Sequence, residues 1–433
     1  EYTFKIGNSS IKQITVDTGE TKYYDVVLGN PNPAQISYGV YYEMVSPSTK
    51  PDDFSIEYTS KSTGESTGKV DKEGNITLNL VVTNTSSSTV TIKLGTVAGY
   101  VNGGELTLSS GQKYILKKVV TASEYVMNLD DGTTGDSGSG VYKVQHSAIP
   151  AKSSATGEII PATDDYRYYG ASPNNYICLD KNSDGTCEDK HLYRIIGSIY
   201  EENAKSNLLK VIKATPLTDG TTSAFSWDCT GTESSTKLLA KEPSVCDRQE
   251  SIWTSQNDDA TIMQLLNGAW YLGKSVKYYN MSTTATTINF TNYSLSSKAK
   301  MIINEKSKYY LGGYQGTNYK TGDIFLFERG TQRYNISRYL YWDGIVGLMY
   351  PSDYGYVSGN DCANKVNVYN YDEVCKDKNW LYNNSYDGWT MTPSTYYTTA
   401  QYIKSGKIDE ILVAYSYYIN PVFYLKVDTV ITG

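Results

Sequence analysis

Three groups of residues have types and spacings that could do chemistry. In "LDKNSDGTCED", Asp180, Asn182 and Asp184 alternate ahead of Gly185, which is how oxygen ligands and a tight turn open a calcium loop. Ca2+ is therefore the only cofactor the residues suggest. Twelfth in that loop stands His191 where a bidentate glutamate belongs, so Glu188 or Asp189 would have to substitute. A polar hairpin tip between paired cysteines is the competing reading, and the one adopted. The second group is the carboxylates Asp343, Asp353 and Glu328, because acid–base catalysis needs two carboxyls held at a working distance in a cleft. No pattern brings two of them together, and Glu328 beside Arg329 in "FERG" reads more simply as an ion pair or cap. A Ser or Cys nucleophile would depend on His146 or His191, both in polar contexts. Without a GxSxG, HExxH or phosphate-binding glycine loop, the chain is not expected to be an enzyme, and no catalytic residue is assigned.

The third group is aromatic. In "YWDGIVGLMYPSDYGYVSGNDC" (341–362), Trp342, Tyr350, Tyr354 and Tyr356 are spaced by Gly344, Gly347 and Gly355. Such an arrangement could lay out a flat platform for stacking on sugars or for packing against another protein. Trp342, Tyr354, Tyr356 and the more distant Trp389 are accordingly the ligand-binding candidates. The same rings could instead floor a domain short of aliphatic core.

Composition narrows the classes. With 39 basic and 46 acidic residues, a net charge of −7 and no clustered basic face, nucleic-acid and anionic-membrane partners are not expected. The apolar runs are far shorter than the ~20 residues that cross a bilayer, and no signal peptide is visible, so the expectation is a processed chain without membrane insertion. The 42 tyrosines, against 7 Phe and 2 His, suit exposed β surfaces and contact faces, since the ring is buried while the hydroxyl stays wet. The cysteines form three close pairs with no C-x-x-C, which argues against a zinc ribbon or redox site. Short polar loops between neighbours favour Cys178–Cys187, Cys229–Cys246 and Cys362–Cys375, and an oxidised set implies an extracellular compartment. Free buried thiols are the alternative.

These groups need a frame. Residues 1–118 read as short strands joined by turns, from "YTFKI", where Tyr2, Phe4 and Ile6 alternate, to "GELTL", and predict an all-β antiparallel sandwich of immunoglobulin-like type without that fold's cysteine pair. Residues 119–140 give a short helix, with Thr121 and Glu124 spaced as a capping box, then the linker "DDGTTGDSGSG". Residues 141–433 predict a loop-rich α+β domain stapled by three disulfides. Within it "LYRIIGSIY" and "NLLKVIKATPL" form a buried hairpin, and "DDATIMQLLNGAW" a helix with Ile262, Leu265 and Leu266 on one face and an Asn267-Gly268 cap.

"DYRYYGASPNNYICL", "LYRIIGSI", "WYLG", "YYLGGY", "FERG", "WDGIVGLMYPSDYGY", "NWLY", "WTMTP" and "NPVFYLK" follow one another over the second part of the chain. Together they resemble a family of secreted, mostly uncharacterised surface proteins of gut Gram-positive bacteria, and the first part is similar to the sandwich domain that often precedes that region. The resemblance implies a bacterial cell-surface location and, in the Trp- and Gly-rich loops, a C-type-lectin-like fold. Family members commonly carry "VRPV" where this chain has "INPV" (Ile419 to Val422), so no role of that arginine transfers. The family brings no established reaction.

The function expected is structural: a subunit of a self-assembling fibre or pilus-like appendage, joined through tyrosine-rich faces and through the strand of Tyr2, Phe4 and Ile6, which could pair with a neighbour's open edge. The alternative is a monomeric adhesin that binds a glycan or host surface protein through its C-terminal domain.

Overall fold

The structure is a computed structural model, and it describes residues 3–6, 13–29, 36–60, 69–70, 74–98, 105–108, 111–115, 117–118, 120–136, 138–229, 251–254, 259–278, 286–314, 316, 318–332, 338–365, 371–382, 387–394, 396 and 398–430. The chain divides into two compact units, residues 1–125 with 427–433, and residues 126–426. Strands dominate both.

In the first unit the strands are β1 (Thr3–Ile6), β2 (Gln13–Val16), β3 (Glu20–Gly29), β4 (Ile36–Ser46), β5 (Phe54–Ser60), β6 (Lys69–Val70), β7 (Asn75–Asn84), β8 (Val90–Ala98), β9 (Glu105–Leu108), β10 (Gly111–Ile115) and β11 (Lys117–Lys118). They form two sheets, ordered β1-β3-β7-β5-β11 and β2-β8-β4-β10-β9, with β6 on β4. The two-residue period decides the layering. Ile14 and Val16 of β2 are buried while Gln13 and Thr15 are exposed, and Ile76, Leu78, Leu80 and Val82 of β7 alternate in the same way. Residues of both sheets, among them Val26, Phe54, Ile92 and Leu94, share one core cluster. β1 lies at an edge, with Phe4 opposite Leu28 and Ile6 opposite Val26 of β3; Tyr2 lies outside the described residues. The capping box forms as the spacing predicts: Thr121 N–H donates to Glu124 at 3.0 Å, Glu124 N–H to the Thr121 hydroxyl at 3.2 Å, and α1 (Ala122–Met127) follows.

The second unit contains β12 (Gly140–His146), β13 (Thr163–Tyr169), β14 (Tyr176–Cys178), β15 (Leu192–Glu201), β16 (Ser206–Lys213), β17 (Ala224–Ser226), β18 (Ser275–Tyr278), β19 (Thr286–Asn289), β20 (Ser307–Tyr310), β21 (Tyr341–Gly344), β22 (Gly388–Pro393), β23 (Thr399–Lys404), β24 (Lys407–Leu412), β25 (Ser416–Tyr418) and β26 (Val422–Tyr424). One sheet runs β12-β13-β15-β16-β26 with β14 on β15; another runs β17-β25-β22-β23-β24. Short helices connect them: α2 (Thr261–Gln264), α3 (Ser297–Met301), α4 (Thr321–Glu328), α5 (Pro351–Tyr356), α6 (Asn360–Lys365) and α7 (Glu373–Asp377). The β15–β16 hairpin forms where the sequence places it. The Asn267-Gly268 cap does not. The helix continues past them as a π-helix from Leu265 to Trp270, because the Asn267 amide is used sideways, accepting from Val346 N–H at 3.0 Å and donating to its carbonyl at 3.0 Å. The stretch 130–140 belongs to this unit, where Gly135 C=O accepts from Asn360 N–H and Asp136 from Asp361 N–H.

Tyrosine is a core residue here. Tyr142, Tyr278, Tyr309, Tyr350 and Tyr354 are buried, and each hydroxyl donates to a backbone carbonyl, of Tyr356, Ser226, Ile345, Tyr310 and Gly406 respectively. A domain with much irregular backbone has carbonyls that no ladder satisfies, and a ring carrying its own donor fills space and supplies the missing hydrogen bond at once. Surface tyrosines exist as well, such as Tyr23, Tyr176 and Tyr396. The expectation of contact faces accounts for only part of the tyrosine content.

Candidate functional site

Two of the carboxylates flagged in the sequence, Asp353 and Glu328, lie in a buried cluster of charged residues. Two-residue spacing on β13 puts Asp165 and Arg167 on one sheet face, β12 adds His146 and β16 adds Lys210. Asp353, at the N-terminal turn of α5, accepts from Arg167 Nη1 at 2.8 Å, from Lys210 Nζ at 2.6 Å and from Tyr350 N–H at 3.0 Å. Asp165 accepts from Arg167 Nη2 at 2.8 Å and from Tyr200 N–H at 3.1 Å, and meets His146 Nε2 at 2.9 Å. Burial alone would raise both carboxyls, but the adjacent cations outweigh it; Asp353 comes down to about 2, and Asp165 also falls well below the carboxylate range. His146 is pushed down by burial despite Asp165, and its ring stacks on Phe325 at 3.7 Å. Glu328 accepts from the Ser352 N–H and hydroxyl, and burial pushes it up to about 7. Every charge in the network has a partner, and the cavity beside His146, Asp165 and Arg329 is only about 20 Å³. Asp343 stands apart, held by Lys308 Nζ and Asn203 Nδ2, each at 3.0 Å.

The calcium-like residues are already engaged. Asp180 accepts from the Ser296 hydroxyl at 2.7 Å and pairs with Lys298 at 3.1 Å, while Asp184 accepts from Thr186 N–H and hydroxyl. Gly185 N–H donates to the Asn182 carbonyl and Lys181 bridges Cys187, so the segment is a hairpin tip. His191 is buried. Cys178–Cys187 and Cys362–Cys375 are disulfides, as the spacing predicts. Cys229 is also disulfide-bonded; Cys246 lies outside the described residues.

The platform reading requires correction at Tyr354, Tyr356 and Trp389, which are buried. Tyr354 packs 6.1 Å from Tyr371, Arg167 lies 4.9 Å above Tyr356, and Trp389 donates from Nε1 to the Phe225 carbonyl at 2.8 Å. Apolar burial takes these rings inside, leaving no face for a sugar. Trp342 is half-buried, 5.5 Å from Tyr309, and a Cβ on Gly344 would fall within 1.9 Å of its indole. That glycine is there so that the ring can lie across the backbone.

What the sequence reading missed is a cleft of about 240 Å³, lined by Tyr176, Arg194, Lys213, Trp380, Tyr382, Tyr418 and neighbours. The Arg194 guanidinium is sandwiched 4.7 Å from the Tyr176 ring and 4.2 Å from that of Trp380. It donates from Nε to Asn175 Oδ1 at 2.9 Å and from Nη1 to the Trp380 carbonyl at 3.1 Å. Lys213 donates to the Asp189 carbonyl and the Thr215 hydroxyl, both at 2.8 Å, and burial pushes its ammonium down to about 8. All four acceptors are neutral. No protein-family model matches the chain, and no curated protein or solved structure matches it either. The signal that could have found the cleft is a cation inside an apolar strand, Arg194 in "LYRIIGSIY" and Lys213 in "NLLKVIK".

Proposed function

We propose that this chain is an extracellular bacterial cell-surface protein that works by recognition, its first unit an immunoglobulin-like sandwich acting as spacer and its second, loosely C-type-lectin-like, holding a glycan or host surface protein. The observation that carries this reading is the cleft, where the Arg194 guanidinium lies against the rings of Tyr176 and Trp380 with neutral hydrogen-bond partners. Pockets that combine aromatic walls with a few convergent polar groups are the usual form of a binding site. The buried acids, by contrast, are spent on internal cations, which favours recognition over catalysis. The disulfides and the motif run resembling secreted surface proteins support the location. A glycan array probed with the full chain tests it: bound glycans should be lost on Tyr382→Ala with folding intact, and an array without any cleft-dependent hit would sink the reading.

The fibre reading, the first expectation from the sequence, becomes the second. One observation favours it: β1 is an edge strand held by a four-residue ladder, whereas β3 and β7 pair over ten residues. A strand held that briefly is the one most readily exchanged with another copy.

A further inference from the structure

We propose that the rings of Trp342, Trp253, Trp227, Trp389 and Tyr417 form a conduit for single-electron oxidation through the second unit, an activity separate from recognition at the cleft. Successive ring centroids lie 5.8 Å apart from Trp342 to Trp253, 5.6 Å from Trp253 to Trp227, 5.8 Å from Trp227 to Trp389 and 5.2 Å from Trp389 to Tyr417. At such separations the ring edges are in contact. Electron exchange, which decays exponentially with distance, is therefore fast at every step. Four of the six tryptophans take part, and they come from segments far apart in sequence that only the fold lines up. The ends reach the surface and the middle does not: Trp342 and Tyr417 are half-buried, whereas Trp253, Trp227 and Trp389 are at most 1% exposed.

Packing alone does not account for these rings. The Nε1 donors of Trp227 and Trp253 are buried without an acceptor among the described residues, while Trp270, which takes no part in the series, donates to the Tyr293 carbonyl at 3.0 Å. A buried donor left unmet costs ~1–3 kcal/mol, and a phenylalanine would fill much of the same space without that cost. What an indole offers and a phenyl ring does not is one-electron oxidation. The missing acceptor then has a use. An oxidised indole whose N–H faces no base keeps its proton, so the positive charge moves on instead of settling as a neutral radical. The Phe225 carbonyl that Trp389 Nε1 meets at 2.8 Å is too weak a base to take that proton. Asp228, the residue after Trp227, is a buried carboxylate, and a negative charge at low dielectric favours a passing cation.

The co-reactant is a one-electron oxidant at the surface, of the class of diffusing radicals. It takes one electron from Trp342 and is reduced. Electrons then pass from Trp253, Trp227 and Trp389 in turn, and the last comes from Tyr417, whose phenol releases its proton to water at the half-buried end. Only that O–H bond breaks, and the product is a Tyr417 phenoxyl radical.

A ruthenium polypyridyl photo-oxidant tethered through Lys306→Cys, an exposed position one residue before β20, whose Tyr309 lies opposite Trp342, tests this on the full, oxidised chain. Flash oxidation with a spin trap present, followed by peptide mass mapping, should find adducts at Tyr417, and transient absorption should show an indole radical cation before the phenoxyl radical. Trp253→Phe and Trp227→Phe should each abolish the Tyr417 adduct while Trp342 is still oxidised; Trp270→Phe should leave it unchanged. Undiminished Tyr417 adducts in both variants of the series, or their loss in Trp270→Phe as well, overturn the conduit. The unmutated sequence behind the tether decides by itself if a variant misfolds: adducts confined to Trp342 and Tyr341, or a phenoxyl radical with no indole precursor, overturn it too.

Discussion

Asp353 is the residue on which the second unit's interior charge balance turns, since it pairs with Lys210 and with Arg167, which Asp165 also meets. Removing one partner of a buried ion pair costs ~3–5 kcal/mol, because the remaining charge has neither water nor counter-ion. Asp353→Asn should therefore lower stability by about that amount in urea titrations, whereas Lys298→Ala, at the exposed partner of Asp180, should cost less than ~1 kcal/mol. An equal effect of the two substitutions would contradict this account. Tyr354→Phe isolates a different contribution. It keeps the ring but removes the hydroxyl that donates to the Gly406 carbonyl at 3.0 Å, leaving a buried acceptor unmet at a cost of ~1–3 kcal/mol. A neutral result would mean that this tyrosine is in the core for its ring alone.

Elements here are short, and what fixes them is cross-linking more than length. α6 and α7 have six and five residues, too few to persist by helix propensity, and Cys362–Cys375 joins them across a separation of thirteen. Closing a loop of that size removes unfolded-state entropy worth ~3 kcal/mol. The Cys362→Ser/Cys375→Ser pair should lower the unfolding free energy of the second unit by about that much; an unchanged midpoint would show that Tyr371 and Trp380, in the same core cluster, already hold both helices. The capping box, the strand alternation and the β15–β16 hairpin were legible because each is set by neighbours in sequence. The π-helical continuation past Asn267 was not, since its cause, the backbone of Val346, lies 79 residues away.

Across the whole molecule the buried groups impose a pH profile with opposing parts. Asp353 and Asp165 are depressed, so their stabilisation is complete above the unfolded value near 3.8 and is lost as pH falls from there through about 2 for Asp353. His146, also depressed, loses its contribution as pH drops below 6.5. Glu328 is raised from 4.5 to about 7, so between those values the folded state holds a proton that the unfolded state has released, and acidification through this window stabilises. Urea midpoints should fall steeply below pH 4, and Glu328→Gln should remove the stabilising part, so that acidification from pH 7 to 4.5 costs the variant more stability than the unmutated chain. By itself the sequence determined what depends on near neighbours and on composition: a strand-rich chain, a capped first helix, and the Cys178–Cys187 and Cys362–Cys375 pairs across short loops. Only the tertiary structure decided which charges are answered and which are not. Arg167 and Asp353 stand 186 residues apart and touch, while Arg194, on the next strand, has no carboxylate paired with it among the described residues and lines a cleft. Pairing across such separations is set by strand order and layer packing, which no local pattern encodes. The same reason turned the apparent aromatic platform into core: residue types announced contact, but burial chose the partner.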